Sequence, residues 1–183
     1  RVINTYTKTP IDIEKVIKDT PLSYSLHIAI SPLKSMERFE WFLEKSSEIG
    51  ISEITPIVCD RTEKKYINDK RLRKVLISAM KQSLKSHLPK LNPIISLKEF
   101  IKNDFKDDLF IAHCDKFKKE PLLNSINAKS SNLILIGPEG DFSQKEIETI
   151  SSLGFKNVSL GDSRFRTETA GIIACHTVSI VNM

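Results

Sequence analysis

The sequence lacks the features of membrane, secreted and metal-binding proteins. No apolar run approaches the roughly 18 residues needed to span a membrane, and residues 1–6 have no basic region followed by an apolar one, so we expect no signal peptide. The three cysteines are odd in number and far apart, which gives no disulfide framework and no zinc-ligand spacing. We therefore expect free thiols, no metal and a cytoplasmic location.

The two common nucleotide-binding signatures are also missing. Neither G-x-G-x-x-G nor G-x-x-x-x-G-K-[ST] occurs, which disfavours a Rossmann dinucleotide site and a P-loop. The chain begins with Arg1 rather than Met, which suggests that the natural N-terminus lies upstream. Residues 1–21 are too short to bury a core of their own, so we expect the main domain to span residues 24–183.

Strand-like and helix-like segments alternate along that domain. Apolar runs bounded by polar loops, typical of buried parallel strands, occupy residues 26–30, 109–114 and 133–136. Amphipathic helices are predicted from Met36 to just before Gly50, from a cap at Asp69 as far as Pro89, from a capping box of Ser143 and Glu146 with Leu153 facing inward, and over residues 167–181. Pro56 interrupts a further strand and favours an edge or a strand end. The pattern predicts an α/β fold with a mostly parallel sheet.

Positive charge is concentrated in residues 61–90. Ten Lys or Arg residues stand there against Glu63 and Asp69, which gives +8 and leaves −3 for the rest of a chain whose net charge is +5. Most of these cations fall outside the apolar stripe of the predicted helix. The segment fits an anionic partner such as nucleic acid, or equally a solvated lysine-rich helix face.

Two loops near the C-terminus carry the candidate chemistry. The first loop, residues 137–143 (G-P-E-G-D-F-S), follows an apolar strand, and the second loop is residues 160–170 (L-G-D-S-R-F-R-T-E-T-A). Ligands of open α/β sheets bind at such strand ends, and two arginines before a helix suit a phosphate or carboxylate. Taken singly, each loop also has a structural explanation: a plain turn for the first, and a pairing of Arg166 with Glu168 or Asp141 for the second.

In this order and spacing, the two loops resemble the bacterial 16S ribosomal RNA uridine-N3 methyltransferases of the SPOUT superfamily, which use S-adenosylmethionine. The resemblance extends upstream through residues 39–45, 48–50, 54–56 and 82–83, so it covers residue 24 to the end. It implies a C-terminal trefoil knot, a homodimer and the small ribosomal subunit as partner. It also implies an N-terminal β-barrel of PUA type, of which residues 1–21 would be the last strands.

The family's site residues are carried over by position. The methyl donor is expected to contact Ala112, His113, Ile136, Gly137, Gly140, Leu160, Gly161, Arg166, Thr167 and Thr169. From their positive charge rather than from the family, Lys70, Arg71, Lys74, Lys81, Lys85 and Arg164 are expected to contact RNA. Arg166 is the candidate catalytic residue, with Glu168 positioning it, and no general base is identified. Phe165 and Asp162 depart from the usual family residues, Leu and often Pro, without removing a charged group.

Two other functions stay open at this point. One is a methyltransferase of the same superfamily that acts on another RNA, such as transfer RNA. The other is a non-catalytic RNA-binding assembly factor that keeps the fold, although the two intact loops speak against it.

Overall fold

The computed structural model describes residues 22–183, which build one parallel sheet with helices on both faces. Its strands are β1 (Ser25–Ile30), β2 (Glu53–Val58), β3 (Lys90–Leu91), β4 (Ile95–Ser96), β5 (Asp108–Ala112), β6 (Glu120–Pro121), β7 (Ser131–Ile136) and β8 (Lys156–Ser159). Its helices are α1 (Met36–Ile49), α2 (Asp69–Gln82), α3 (Leu97–Phe100), α4 (Leu122–Ser125), α5 (Gln144–Ser152) and α6 (Thr167–Val181). The predicted β-barrel remnant, residues 1–21, lies outside the described residues.

The sheet has the order β3-β2-β1-β7-β5-β8-β6, with β4 pairing with β2 beside β3. Every strand pair within residues 22–183 is parallel, which confirms the predicted α/β class. Because the strands run in one direction, the loops that follow β1, β2, β5, β7 and β8 meet at a single edge of the sheet.

The three predicted apolar strands are the centre of the sheet, as β1, β7 and β5. Successive side chains along them enter opposite layers of the core. Ile28 and Ile134 join the layer beneath α1, α2 and α6, while Leu133 and Ile111 join the layer beneath α3 and α5. Burial on both faces is therefore the physical reason for the continuous apolar runs.

Two details of α2 differ from the prediction. The N-cap is Asn68, not Asp69: Asn68 has an extended backbone, and its side chain accepts the N–H of Arg71 at 3.1 Å. The helix ends at Gln82, well before Pro89, and Leu84 follows in a turn with φ of 56°. The basic segment is thus partly helix and partly turn.

Pro56 lies inside β2, in the second position of the sheet rather than at its edge or a strand end. On its outer side, β3 pairs with Glu53 and Ile54, and β4 pairs with Ile57 and Val58. Pro56 falls in the gap between these two short strands, where a missing N–H leaves no ladder bond unmade.

The last helix packs very closely on its neighbours. A Cβ placed on Gly171 of α6 would lie 2.6 Å from the ring of Phe42 in α1, so only glycine fits there. This contact fixes the start of α6, and with it the end of the second loop, against the core. No helix among residues 22–183 has the length and apolarity needed to cross a membrane.

Candidate functional site

A cavity of about 600 Å³ opens at the carboxyl edge of the sheet, between the ends of β5, β7 and β8 and the start of α6. Its wall includes eight of the ten residues that were expected to contact a methyl donor: Ala112, His113, Ile136, Gly137, Leu160, Gly161, Arg166 and Thr167. Arg164, which was expected to bind RNA, lines the same cavity. The first and second loops, read separately in the sequence, are two walls of one space.

The first loop is held rigidly by its neighbours. The Asp141 carboxylate accepts the backbone N–H of Cys114 at 2.7 Å and that of Phe142 at 2.8 Å, which joins the loop to the end of β5. A Cβ on Gly137 would lie 3.0 Å from the Phe142 ring, so this position favours glycine. Ser143 and Glu146 form the predicted capping box of α5, while Leu153, predicted to face inward, is 48% exposed because the helix ends at Ser152.

One buried hydrogen bond joins the two loops. The hydroxyl of Thr167, at the start of α6, donates to the carbonyl oxygen of Gly137 at 3.0 Å. Thr167 is only 4% exposed, so little water competes for this bond. Its loss would leave a buried carbonyl unsatisfied, which makes Thr167 the link that sets the distance between the walls.

Arg166 precedes Thr167 in the chain, and its side chain lines the cavity. It is the N-cap residue of α6, with an extended backbone and an exposed side chain that makes no hydrogen bond or ion pair with residues 22–183. Neither of the two partners considered for it, Glu168 and Asp141, binds it. An arginine at a cavity wall with all its donors free is available to a ligand.

Glu168 does not contact Arg166, contrary to the predicted positioning role. Its carboxylate is 5% exposed and lies against α1, where Oε1 is 3.8 Å from Nε of Arg38. Its other oxygen, Oε2, is buried without a hydrogen-bond partner among the described residues. Arg166 has an extended backbone and lines the cavity. Glu168 lies two residues later, inside α6, and faces the contact between α1 and α6.

Two further expected contacts lie outside the cavity wall. Gly140 is on the outer part of the first loop, where its carbonyl accepts a 2.8 Å hydrogen bond from Arg61 of the loop after β2. Thr169 is in the first turn of α6 and does not line the cavity. Their contact with a methyl donor stays a prediction.

His113 is a buried, neutral component of the wall. Its Nε2 is 2.9 Å from Oδ1 of Asn157, and its Nδ1 is buried without a hydrogen-bond partner in the described part of the chain. Burial lowers the pKa of the imidazole below its ordinary value, so the ring is uncharged at neutral pH. His113 therefore adds no charge to the cavity wall at neutral pH.

Sequence reasoning missed several wall residues. Cys114, Lys119, Pro138, Glu139, Asp141, Val158, Ser159, Asp162, Ser163, Phe165 and Ala170 also line the cavity. Most of them are immediate neighbours of predicted residues, so their place was available from the two loops. Lys119 is different: it comes from the loop before β6, where its Nζ donates to the His113 carbonyl at 3.0 Å, and no motif marks it.

The residues that were expected to bind RNA divide into two groups. Arg71 forms an ion pair with Glu40 of α1, with Nη2 2.9 Å from Oε2, and Lys85 donates to the Ile49 carbonyl at 3.2 Å from beyond the end of α2. Lys70, Lys74 and Lys81 are exposed on α2, and their side chains bind no described residue. Of these five residues, only the second group has positive charge without a partner among residues 22–183; Arg164, at the cavity wall, also binds no described residue.

No three or more His, Cys, Asp or Glu side chains within residues 22–183 are grouped so as to hold a metal ion. The cavity wall instead combines backbone and apolar side chains with three cations (Lys119, Arg164 and Arg166) and three carboxylates (Glu139, Asp141 and Asp162). Its chemistry is that of a site for an organic ligand that carries polar and charged groups.

Comparisons with known proteins agree with this chemistry. A family model for an RNA methyltransferase domain matches residues 20–179. Ribosomal RNA small subunit methyltransferase E of Mesomycoplasma hyopneumoniae is 28% identical over 165 residues, which cover 87% of this chain and 71% of that protein.

Solved structures give the same result. A probable rRNA methyltransferase from Porphyromonas gingivalis superimposes with a TM-score of 0.85 at 40% identity, covering 90% of this chain and 71% of that one. Ribosomal RNA small subunit methyltransferase E of Neisseria gonorrhoeae, in a structure bound to S-adenosylmethionine, superimposes with a TM-score of 0.73 at 28% identity, covering 88% and 67%.

Proposed function

Since this chain belongs to the RNA methyltransferase domain family that includes ribosomal RNA small subunit methyltransferase E, we propose that it transfers a methyl group from S-adenosylmethionine to uridine N3 of 16S ribosomal RNA. The observation that carries the proposal is the cavity whose two loops are joined by the Thr167–Gly137 hydrogen bond, with the free guanidinium of Arg166 at its wall. The trefoil knot and the homodimer implied by the resemblance belong to the same proposal.

The cavity suits the methyl donor in size and in chemistry. Its volume of about 600 Å³ lies within the usual range for small-molecule sites. Apolar side chains line one part, among them Ile136, Val158 and Leu160, and they offer a surface for a purine ring. Backbone groups of Gly137 and Gly161 offer donors and acceptors beside it. When bound, the donor supplies an electrophilic methyl group on a sulfonium sulfur.

The chemical task of the protein is to stabilise negative charge on the uracil base. The N3 imide proton is lost to solvent, which leaves negative charge spread over N3 and the neighbouring carbonyl oxygens. N3 then takes the methyl group from the sulfonium, which leaves a neutral thioether and removes the charge on the base. Arg166 meets this need because its guanidinium stands at the cavity wall and has no partner to give up among residues 22–183. Preorganised charge of this kind is often the largest single contribution to catalysis.

We assign no base to His113, although it is the histidine at the cavity wall. Its Nε2 faces the Asn157 side chain, and its Nδ1 is buried. Neither nitrogen is therefore placed to accept the N3 proton of a bound uridine. The supported role of the ring is to shape the wall without adding a charge to it.

The test combines ligand binding with product analysis. The protein is titrated calorimetrically with S-adenosylmethionine, then incubated with tritium-labelled methyl donor and either 16S rRNA, small ribosomal subunits or transfer RNA. We expect saturable binding and N3-methyluridine in the rRNA digest, found by mass spectrometry. Methylation of transfer RNA alone would favour the second enzymatic function, and RNA binding without any methyl-donor binding would favour the non-catalytic factor.

A further inference from the structure

A second cleft lies between the first turn of α1 and the start of α2, with a volume of about 370 Å³. We call it the Tyr66 cleft, because Tyr66 lines it with a side chain that is 73% exposed. The ammonium of Lys64 lies 4.6 Å from the centroid of that ring. Lys64 thus lies over one face of the ring, and the exposed remainder of the ring surface is available for a flat ligand to stack on.

The Tyr66 cleft and the cavity belong to one edge of the sheet. Residues 59–68 follow the carboxyl end of β2, just as the first loop follows that of β7. Direct hydrogen bonds join the first loop to both of its neighbours: Arg61 of residues 59–68 donates to the Gly140 carbonyl at 2.8 Å, and the backbone N–H of Lys34, in the loop after β1, donates to the Glu139 carboxylate at 3.1 Å. The cleft and the cavity therefore lie at the same edge of the sheet, where one RNA strand is placed to meet both.

The charged residues around the cleft indicate which class of ligand it would bind. The carboxylate in the cleft, Glu40, is already paired with Arg71. Lys65, Lys70 and Lys74 stand nearby in the chain, exposed and without a partner among the described residues, against the exposed carboxylate of Asp69. An open aromatic ring among cations is the combination that binds single-stranded nucleic acid, because the ring stacks a base while the cations meet phosphates.

We propose that the Tyr66 cleft holds an unpaired nucleobase of the RNA substrate, stacked on Tyr66, with the adjacent phosphates against Lys65 and Lys70. The inference rests on the proposed function for the identity of RNA as substrate, and it adds a place where that RNA is held outside the cavity. Stacking on a ring tolerates any base, so the cleft contributes affinity for single strands and not base identity.

The experiment compares Tyr66→Ala, Tyr66→Leu and Tyr66→Phe with the unsubstituted protein, using fluorescence anisotropy with a labelled single-stranded oligoribonucleotide. A backbone-matched abasic oligomer, which has phosphates but no bases, is the control ligand. We expect the Ala and Leu proteins to lose about tenfold in affinity for the base-containing strand, and the Phe protein to lose less than about twofold. All four proteins should bind the abasic oligomer alike.

The salt dependence separates stacking from phosphate binding. Tyr66 neutralises no phosphate, so Tyr66→Ala should leave the slope of log affinity against log salt unchanged. Unchanged affinity in Tyr66→Ala, an equal loss on the abasic oligomer, or an altered oligomeric state without an effect on RNA would each overturn the proposal. Methyl transfer to 16S rRNA by the unsubstituted protein is measured alongside, and its absence would count against the proposed function while the oligonucleotide comparison still decides the role of Tyr66.

Discussion

The cavity wall and the surface of α2 both present arginine, but the two regions hold it in different ways. At the wall, Arg166 precedes a residue that is locked to Gly137, and its own guanidinium binds no described residue. On α2, the Arg71 guanidinium is bound to Glu40 of the neighbouring helix. At the wall the backbone is fixed and the cation has no partner among the described residues. On this part of α2 the cation is already paired with a carboxylate.

The difference shows that the number of positive charges in a segment does not measure how much of that charge a ligand meets. An exposed ion pair contributes little to stability, but it withdraws the cation from other partners. We expect function to be concentrated where the backbone is fixed and the charge is free. Four sets of substitutions test this expectation.

The largest effect is expected from Arg166→Ala. Loss of the free guanidinium should slow methyl transfer about 10²- to 10³-fold in a single-turnover assay with saturating methyl donor, as for other preorganised charge-stabilising groups. Arg166→Lys keeps a charge without the planar fork and should recover part of the rate. Arg73→Ala, which removes an α2 arginine that donates to the Leu91 carbonyl, is the matched control and should stay within about twofold. An Arg166→Ala rate equal to that of the unsubstituted protein would exclude the catalytic role.

Thr167→Val should have the next largest effect, because it cuts the bond between the walls. The Gly137 carbonyl would be left buried and unsatisfied, at a cost of about 1–3 kcal/mol, and we expect methyl-donor affinity to fall about tenfold by calorimetry. Thr177→Val is the control on the same helix. Its hydroxyl donates to the Ile173 carbonyl within α6 at 2.8 Å, so methyl-donor affinity should not change. Equal losses in both variants would mean that α6 as a whole, and not the link, is responsible.

The double substitution Lys74→Glu and Lys81→Glu tests the free charge of α2. If these lysines meet phosphates, RNA affinity should fall, and the slope of log affinity against log salt should decrease by about one for each phosphate that is no longer neutralised. Lys85→Met should lower the melting temperature slightly instead, because Lys85 binds the Ile49 carbonyl at the end of α1. A change of salt slope in the Lys85 variant, with none in the double variant, would reverse the assignment.

The sequence predicts the elements that have a local pattern and misses those that depend on tertiary packing. Central strands and the capped helix α5 follow from local patterns: apolar runs mark β1, β5 and β7, and the S-x-x-E spacing at Ser143 marks the cap. Strands β3, β4 and β6 have two residues each and carry no periodicity, so only tertiary packing reveals them.

At the site, the sequence predicts which loops matter but not the bonds that hold them. The Thr167–Gly137 bond joins residues thirty positions apart, and Glu168 finds its partner at Arg38 in α1 rather than at its neighbour Arg166. Tyr66 stands alone among charged residues, without a periodic pattern to mark it. Such partners depend on how elements pack, which a linear pattern does not record.

The smallest expected effect is on the pH dependence of the free energy of unfolding. It is tested at two histidines, His113 at the cavity wall and His27 within the sheet. Burial lowers the pKa of both His113 and His27, so at mildly acidic pH the unfolded chain binds more protons than the folded one. Stability should therefore be constant above about pH 7.5 and decline as the pH falls below the unfolded value of about 6.5. In urea unfolding between about pH 8 and 5.5, His113→Gln and His27→Gln should each reduce this decline, and only His113→Gln should also change methyl-donor affinity. A pH dependence that neither variant reduces would assign the decline to other groups.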